Sequence, residues 1–177
     1  MPLEILKDPE YLVALFPPGN VAAELQALKR PLLGRLDAAK PLPFPCAAGL
    51  AWFERPPEDP GRLEELAAGA PRLYDRYRIL GGILYLGAED SGDGPPTLRG
   101  SPLLRPAAWA GFPLVRLPEA SEGAPDPTLG LPPPPRVAFR TFLAFLLRIR
   151  RGNPWYSAQT WEAVQAVRYP LRRKTRA

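Results

Sequence analysis

The sequence contains no histidine and a single cysteine, Cys46, among its 177 residues. Without histidine, Ser/His/Asp and Cys/His catalysis within the chain is excluded. Zinc, haem and iron–sulfur centres would lack ligands, so no cofactor and no metal is expected. A magnesium site made of carboxylates alone stays open, although nothing in the sequence supports it. One cysteine cannot form an intramolecular disulfide, which is consistent with a reducing compartment and a cytoplasmic location.

Long apolar runs are also missing. No stretch approaches the ~20 apolar residues that a membrane-spanning helix needs. The first residues, Met1 to Glu4, do not combine a basic region with an apolar core, so no signal peptide is expected. These absences predict a protein without a membrane partner.

Proline is abundant, with 26 residues that cluster between the apolar runs. This distribution predicts stiff connectors between regular elements, because each proline restricts the unfolded chain. Asn, Gln and Met are scarce, which is typical of thermophilic proteins, although a GC-rich genome produces the same bias. The apolar fraction of 46% and the charged fraction of 23% are ordinary for a globular domain.

The net charge of +5 is distributed unevenly along the chain. Residues 1–135 carry 13 Lys/Arg and 17 Asp/Glu, a net of −4. Residues 136–177 carry 10 Lys/Arg against Glu162 alone, a net of +9. A local excess of this size favours an anionic partner such as nucleic acid.

Hydrophobic periodicity predicts a strand, helix, strand, helix order followed by several strands. Asn20 is expected to cap the first helix and Pro31 to kink or end it early. The longest strand is expected over residues 136–151, followed by a turn. The segment from Trp161 to Leu171 fits a last strand paired with it, although the spacing of Trp161, Val164, Val167 and Arg168 also permits a helix. This pattern indicates an α+β fold with antiparallel pairing, in one domain of residues 1–171 with a basic tail over 172–177.

Three segments resemble the two-histidine phosphoesterase superfamily, which includes the RNA 2',3'-cyclic phosphodiesterases once named 2'-5' RNA ligases. Residues 12–25 are similar to its opening strand, proline turn and first helix. Residues 49–57 are similar to the segment with its first His-x-Thr motif, and residues 142–171 to its closing hairpin. The resemblance implies a two-lobed arrangement of antiparallel sheets, with two to three helices around a central cleft.

The chain departs from that family at its catalytic positions. Alignment with the family pattern puts Ala47 and Gly49 at the first His and Thr, and Gly111 and Pro113 at the second pair. Arg116 matches a basic residue that often follows the second motif. Two facing imidazoles are needed for the family's acid–base chemistry, so the resemblance implies a protein without that activity.

The basic last quarter interleaves arginines with aromatic residues. One interpretation is a surface that binds phosphates and stacks the bases of single-stranded RNA or a nucleotide. The other is a solvated strand face whose aromatic residues pack within a hairpin. The candidate binding residues are Arg116, Arg140, Arg148, Arg150, Arg151, Trp155, Tyr156 and Arg168.

Three functions remain open from the sequence. The first is a non-catalytic RNA- or nucleotide-binding protein with a vestigial phosphodiesterase cleft. The second is a structural or adaptor protein that docks on a protein partner, favoured by the proline-rich loops and Trp155-Tyr156. The third is an RNA phosphodiesterase with altered chemistry that uses Asp90, Asp93 or Tyr85.

Overall fold

The computed structural model describes residues 10–36, 39–42, 46–53, 55–59, 61–80, 82–88, 103–105, 111–117, 123–149 and 161–169. Its two α-helices are α1 (Gly19–Arg35) and α2 (Gly61–Gly69). The strands of this part of the chain are β1 (Glu10–Phe16), β2 (Ala48–Phe53), β3 (Leu73–Leu80), β4 (Ile83–Ala88), β5 (Leu103–Arg105), β6 (Phe112–Arg116), β7 (Val137–Ala138), β8 (Phe142–Ile149) and β9 (Trp161–Tyr169).

The strands form two antiparallel sheets, so the predicted α+β class is confirmed. The larger sheet has the order β5-β2-β1-β8-β9, and the smaller sheet has the order β6-β4-β3-β7. Strand β1 lies at the centre of the larger sheet, and its residues Leu12 to Leu15 are completely buried. This explains its continuous apolar sequence, because a strand covered on both faces cannot alternate apolar with polar residues.

Each face of the larger sheet packs on a different apolar cluster. The face that carries Val13, Leu15, Ala144 and Leu146 belongs to the main core, which also includes the buried sides of α1 and α2. We call it the helix face. The opposite face, here the inner face, meets strand β4 of the smaller sheet in a second cluster. This cluster consists of Leu12, Ala14, Ala47, Ile83, Tyr85, Leu147 and Ile149.

Helix α1 differs from the prediction at both ends. It begins at Gly19 with Pro18 as N-cap, not with Asn20, and it continues past Pro31 to Arg35. Pro31 is exposed, so the backbone carbonyl that loses its helical partner lies where water can reach it. The next residue, Leu32, is fully buried, and its packing stabilises the last turn of the helix. Tertiary burial therefore outweighs the local cost of the proline.

The long strand predicted over residues 136–151 is wrong as a single element. Strand β7 pairs with β3 in the smaller sheet, whereas β8 pairs with β1 and β9 in the larger sheet. The chain changes sheets at residues 139–141, between two runs of similar apolar character. Strand β5, which pairs with β2, was not predicted at all.

The remaining organisational predictions fall partly outside the described residues. The basic tail over 172–177 lies there, and the single domain over 1–171 stays a prediction. None of the described helices combines the length and the apolar character that crossing a bilayer requires.

Candidate nucleic-acid interface

The positions aligned with the first family motif lie on the inner face of the larger sheet. Ala47 has no exposed surface and packs in the second cluster beside Ile83 and Tyr85 of β4. Gly49 is buried and pairs with Ala14 of β1. Apolar side chains therefore cover the place where the resemblance puts the first histidine.

The position aligned with the second histidine cannot hold a side chain in this backbone. Gly111 has a φ of +92°, and a Cβ atom there would lie 2.1 Å from the carbonyl oxygen of Leu86. Both the backbone conformation and the contact require glycine. Pro113, two residues later, is buried and pairs with Tyr85 of β4.

The described candidate arginines lie in different environments. Arg116 is exposed at the end of β6, where its backbone exchanges two hydrogen bonds with Lys40. Arg140 is exposed in the connection between β7 and β8. Arg148 is exposed on the helix face of β8 and forms an ion pair with Glu162 on β9. Arg168 is exposed near the end of β9 and forms no ion pair within the part of the chain that the structure describes.

Four of the candidate binding residues lie outside the described residues. They are Arg150, Arg151, Trp155 and Tyr156. Asp90 and Asp93, proposed for altered chemistry, lie outside them as well. Tyr85, the third residue of that proposal, is 3% exposed inside the second cluster, so a substrate could not reach its hydroxyl without moving the sheets apart.

A groove of about 520 Å³ lies at the end of the larger sheet where β1 leaves and β8 begins. Its walls combine proline, aromatic and aliphatic residues with few polar groups. They are Phe16, Pro17, Pro18, Gly19, Thr141, Phe142, Leu143, Arg168 and Tyr169. Of the predicted binding residues, Arg168 alone belongs to this described wall. A largely apolar site with a few polar groups is the usual form of a ligand pocket.

The sheet register fixes how Arg168 faces this groove. Phe16 of β1 pairs with Leu143 of β8, and Leu143 pairs with Arg168 of β9. Cross-strand partners share a face, so the three side chains form one row on the inner face. Two strand spacings separate the ends of the row, which places Arg168 about 10 Å from Phe16 across the sheet.

The start of α1 contributes backbone donors beside the same groove. Pro18 provides no side-chain cap, and the first turn contains no acidic residue. The first helical hydrogen bond joins the N–H of Ala22 to the carbonyl of Pro18. The N–H groups of Gly19, Asn20 and Val21 therefore have no acceptor within the helix, and they give this end of the groove a partial positive charge.

An arginine that the sequence analysis missed holds the rings at the end of the β8–β9 hairpin. The guanidinium carbon of Arg72 lies 4.3 Å from the ring centre of Tyr169 and 4.8 Å from that of Phe142. The two rings stack on each other with centres 5.1 Å apart. These contacts order the wall of the groove, because cation–π and ring contacts fix the side chains relative to one another. No sequence signal links Arg72 to a hairpin 70 residues further along.

Cys46 directly precedes Ala47, the position aligned with the first histidine, but its thiol is not activated as a nucleophile. Burial raises the pKa of the Cys46 thiol, and the nearby charge and hydrogen bond of Lys29 oppose this only in part. The sulfur therefore remains a protonated thiol near neutral pH, which is a poor nucleophile. Among the described residues, no three His, Cys, Asp or Glu side chains come together as metal ligands would.

Comparison of the chain with protein-family models, curated proteins and solved structures finds no match. The resemblance to two-histidine phosphoesterases therefore stays a prediction.

Proposed function

We propose that the protein binds single-stranded RNA without cleaving it, along the inner face of the β8–β9 hairpin and into the groove. The observation that carries this proposal is the position of Arg168, an exposed cation beside a groove with aromatic and proline walls. Binding of single strands without strong sequence preference commonly combines cations for the phosphates with rings on which bases stack.

The groove offers each of these contacts. Phe16 and Tyr169 are partly exposed and provide apolar ring surface, and Thr141 is exposed and provides a hydroxyl. The Phe142 ring is 4% exposed and packs against Tyr169 and Arg72, so it supports the wall and does not offer a face to a base. Arg168 and the first N–H groups of α1 lie at the same groove, and both attract anions. The net charge of +9 over residues 136–177 strengthens the attraction of an RNA backbone to this side of the chain.

The absence of the family's catalytic groups supports binding without cleavage. The chain has no imidazole, and Ala47 and Gly111 are buried where the resemblance puts the catalytic histidines. The protein is then a two-histidine phosphoesterase relative that has lost its acid and base. Its RNA site would be the groove at the strand ends, because apolar packing fills the region around Ala47.

A pair of matched variants tests the proposal. Arg168→Gln and Arg148→Gln remove the same charge from opposite faces of one hairpin, and only Arg168 lines the groove. We expect fluorescence anisotropy with a labelled single-stranded RNA to show about tenfold weaker binding for Arg168→Gln, the effect of one charged hydrogen bond. Arg148→Gln should stay within about twofold of the unmodified protein, because its charge is paired with Glu162.

Salt dependence provides the second readout. Binding of the unmodified protein should weaken between roughly 50 and 200 mM salt, and Arg168→Gln should reduce the slope by about one phosphate contact. Absence of binding at about 50 mM salt would overturn the proposal. Equal losses for the two variants would show that overall charge, not the groove, attracts RNA.

A second function, docking on another protein, is favoured by a different observation. The large apolar side chains that are exposed in the described part of the chain are Trp161 (39%) and Val164 (52%), and both lie on strand β9. Exposed apolar residues on one element commonly mark an interaction surface. A stoichiometric protein partner that withstands nuclease treatment would support this function.

A further inference from the structure

We propose that two copies of the chain associate through the outer edges of their β9 strands, forming one continuous antiparallel sheet. Strand β9 is nine residues long and stands last in the larger sheet. One edge of β9 pairs with β8, and none of the described strands pairs with the other, outer edge. An edge of this length presents backbone N–H and C=O groups that a further strand can bond.

Few charged side chains on β9 oppose such pairing. Edge strands are commonly protected by charged residues or by bulges, and β9 has Glu162, Arg168 and one bulge, at Val164, which a symmetric partner has to match. Glu162 is already held by Arg148 of the neighbouring strand. Trp161 and Val164 are exposed on the same strand, so association would remove apolar surface from water.

The occupant that fits this edge is a second copy of the same strand. Pairing with β8 leaves Val164 as an extra, bulged residue between Ala163 and Gln165. Because of this bulge, the inner face of β9 carries Trp161 and Ala163 before it and Ala166 and Arg168 after it. A two-fold axis at Gln165, with Val164 bulged in both copies, keeps these four residues on one continuous face.

In that register the two strands are complementary to each other. Ala166 of one copy lies opposite Ala163 of the second copy, and two small side chains permit close approach of the backbones. Arg168 of one copy lies opposite Trp161 of the second, and both are exposed in the single chain. A guanidinium over an indole ring is a favourable cation–π pair, and the symmetry produces it twice.

The dimer would also enlarge the proposed RNA site, a consequence that rests on the proposed function. Phe16, Leu143 and Arg168 already form one row beside the groove. Trp161 of the second copy would extend this row beyond Arg168 and add another ring for a base to stack on. Each copy would complete the groove of the other.

Charge substitutions at Trp161 test the interface in the full chain. Trp161→Lys places a cation opposite Arg168 of the second copy, whereas Trp161→Glu places an anion there. We expect the unmodified protein to sediment at twice the 19.5 kDa chain mass, and the Lys variant to dimerise roughly tenfold more weakly than the Glu variant. The position is 39% exposed at a strand end, and circular dichroism will confirm that both variants are folded.

Cysteine cross-linking tests the register. In a chain with Cys46→Ala, a cysteine at Gln165 lies opposite its own copy and should form an intermolecular disulfide. A cysteine at Ala163 faces Ala166 and should not. A monomer at every concentration, equal dimerisation of the Lys and Glu variants, or cross-linking at 163 but not at 165 would overturn the proposal. RNA binding by a monomeric Trp161→Lys variant would leave the proposed function intact while removing the contribution of the second copy.

Discussion

Buried polar atoms that lack a hydrogen-bond partner lower the stability of this fold. The hydroxyl groups of Tyr74 and Tyr77 and one terminal nitrogen of Arg72 are buried without a hydrogen-bond partner in the described part of the chain. Burial raises the pKa of both tyrosines, so their hydroxyls stay neutral far above physiological pH. On folding, each of these groups loses its hydrogen bonds to water and gains none within the described protein. This lowers the free energy of unfolding by roughly 1–3 kcal/mol per group.

The Tyr74 hydroxyl offers a direct test. Tyr74→Phe removes the unpaired oxygen and keeps the ring contacts with Phe112 and Phe139, whose centres lie 4.8 and 5.8 Å away. We expect urea denaturation to show an increase of about 1 kcal/mol in the free energy of unfolding. Tyr74→Leu also removes the aromatic ring and its contacts, and it should lower the free energy of unfolding by about 1–3 kcal/mol. A loss of stability in the Phe variant would mean that the hydroxyl has a partner.

At the scale of elements, α1 is long because its apolar face is buried. Val21, Leu25 and Leu32 are at most 5% exposed, and they follow the helical spacing through and beyond Pro31. The proline removes one backbone donor and leaves the carbonyl of Ala27 without its helical partner. Packing therefore sustains a helix that local propensity opposes.

Replacing this proline should stabilise the protein. Pro31→Ala restores the missing donor at an exposed position, and we expect a gain of about 1–2 kcal/mol in the free energy of unfolding. The gain stays below the full helix-propensity difference because the unfolded chain becomes more flexible. Gly34→Ala, where a new methyl group meets open space, serves as the control and should add about 0.5–1 kcal/mol. An unchanged or lower value for Pro31→Ala would show that the helix depends on the bend of the proline.

For the whole molecule, the decisive feature is how the two sheets meet. The inner face of the larger sheet and strand β4 of the smaller one share a cluster whose seven buried members are at most 3% exposed. Ala47 lies inside this cluster. Among the described residues, the inner face becomes accessible towards the strand ends, at the groove, and along β9 at the sheet edge.

Introducing a histidine at position 47 tests this packing. Ala47→His introduces a larger, polar side chain among Leu12, Ile83 and Leu147. We expect thermal or urea unfolding to show a loss of about 2–4 kcal/mol, because the cluster is overpacked and the imidazole is desolvated. Ala23→His on the exposed side of α1 is the matched control and should change stability by less than about 0.5 kcal/mol. Equal stability of the two variants would indicate an open cleft beside residue 47.

Much of the element order could be predicted from the sequence, because apolar periodicity reports local burial. Strand β1 follows its predicted position closely, and both helices were expected. For the last element the sequence left a strand and a helix open, and the structure has strand β9. The change of sheet at residues 139–141 could not be predicted, since two consecutive strands in different sheets have the same apolar pattern as one long strand. The groove was missed for a related reason. Phe16, Thr141 and Arg168 meet only through the pairing of β1, β8 and β9.

The sequence by itself determined the properties that depend on composition and on the distribution of charge along the chain. The lack of histidine excludes imidazole catalysis, and the net charge of residues 136–177 favours an anionic partner. Which arginine lies beside the groove, where the proposed function needs one, was decided by the tertiary structure. Strict alternation along β9 would place Arg168 on the same face as Glu162, but the extra residue Val164 moves it to the inner face, beside the groove. A one-residue bulge reverses every side chain that follows it, and only strand pairing reveals where such a residue lies.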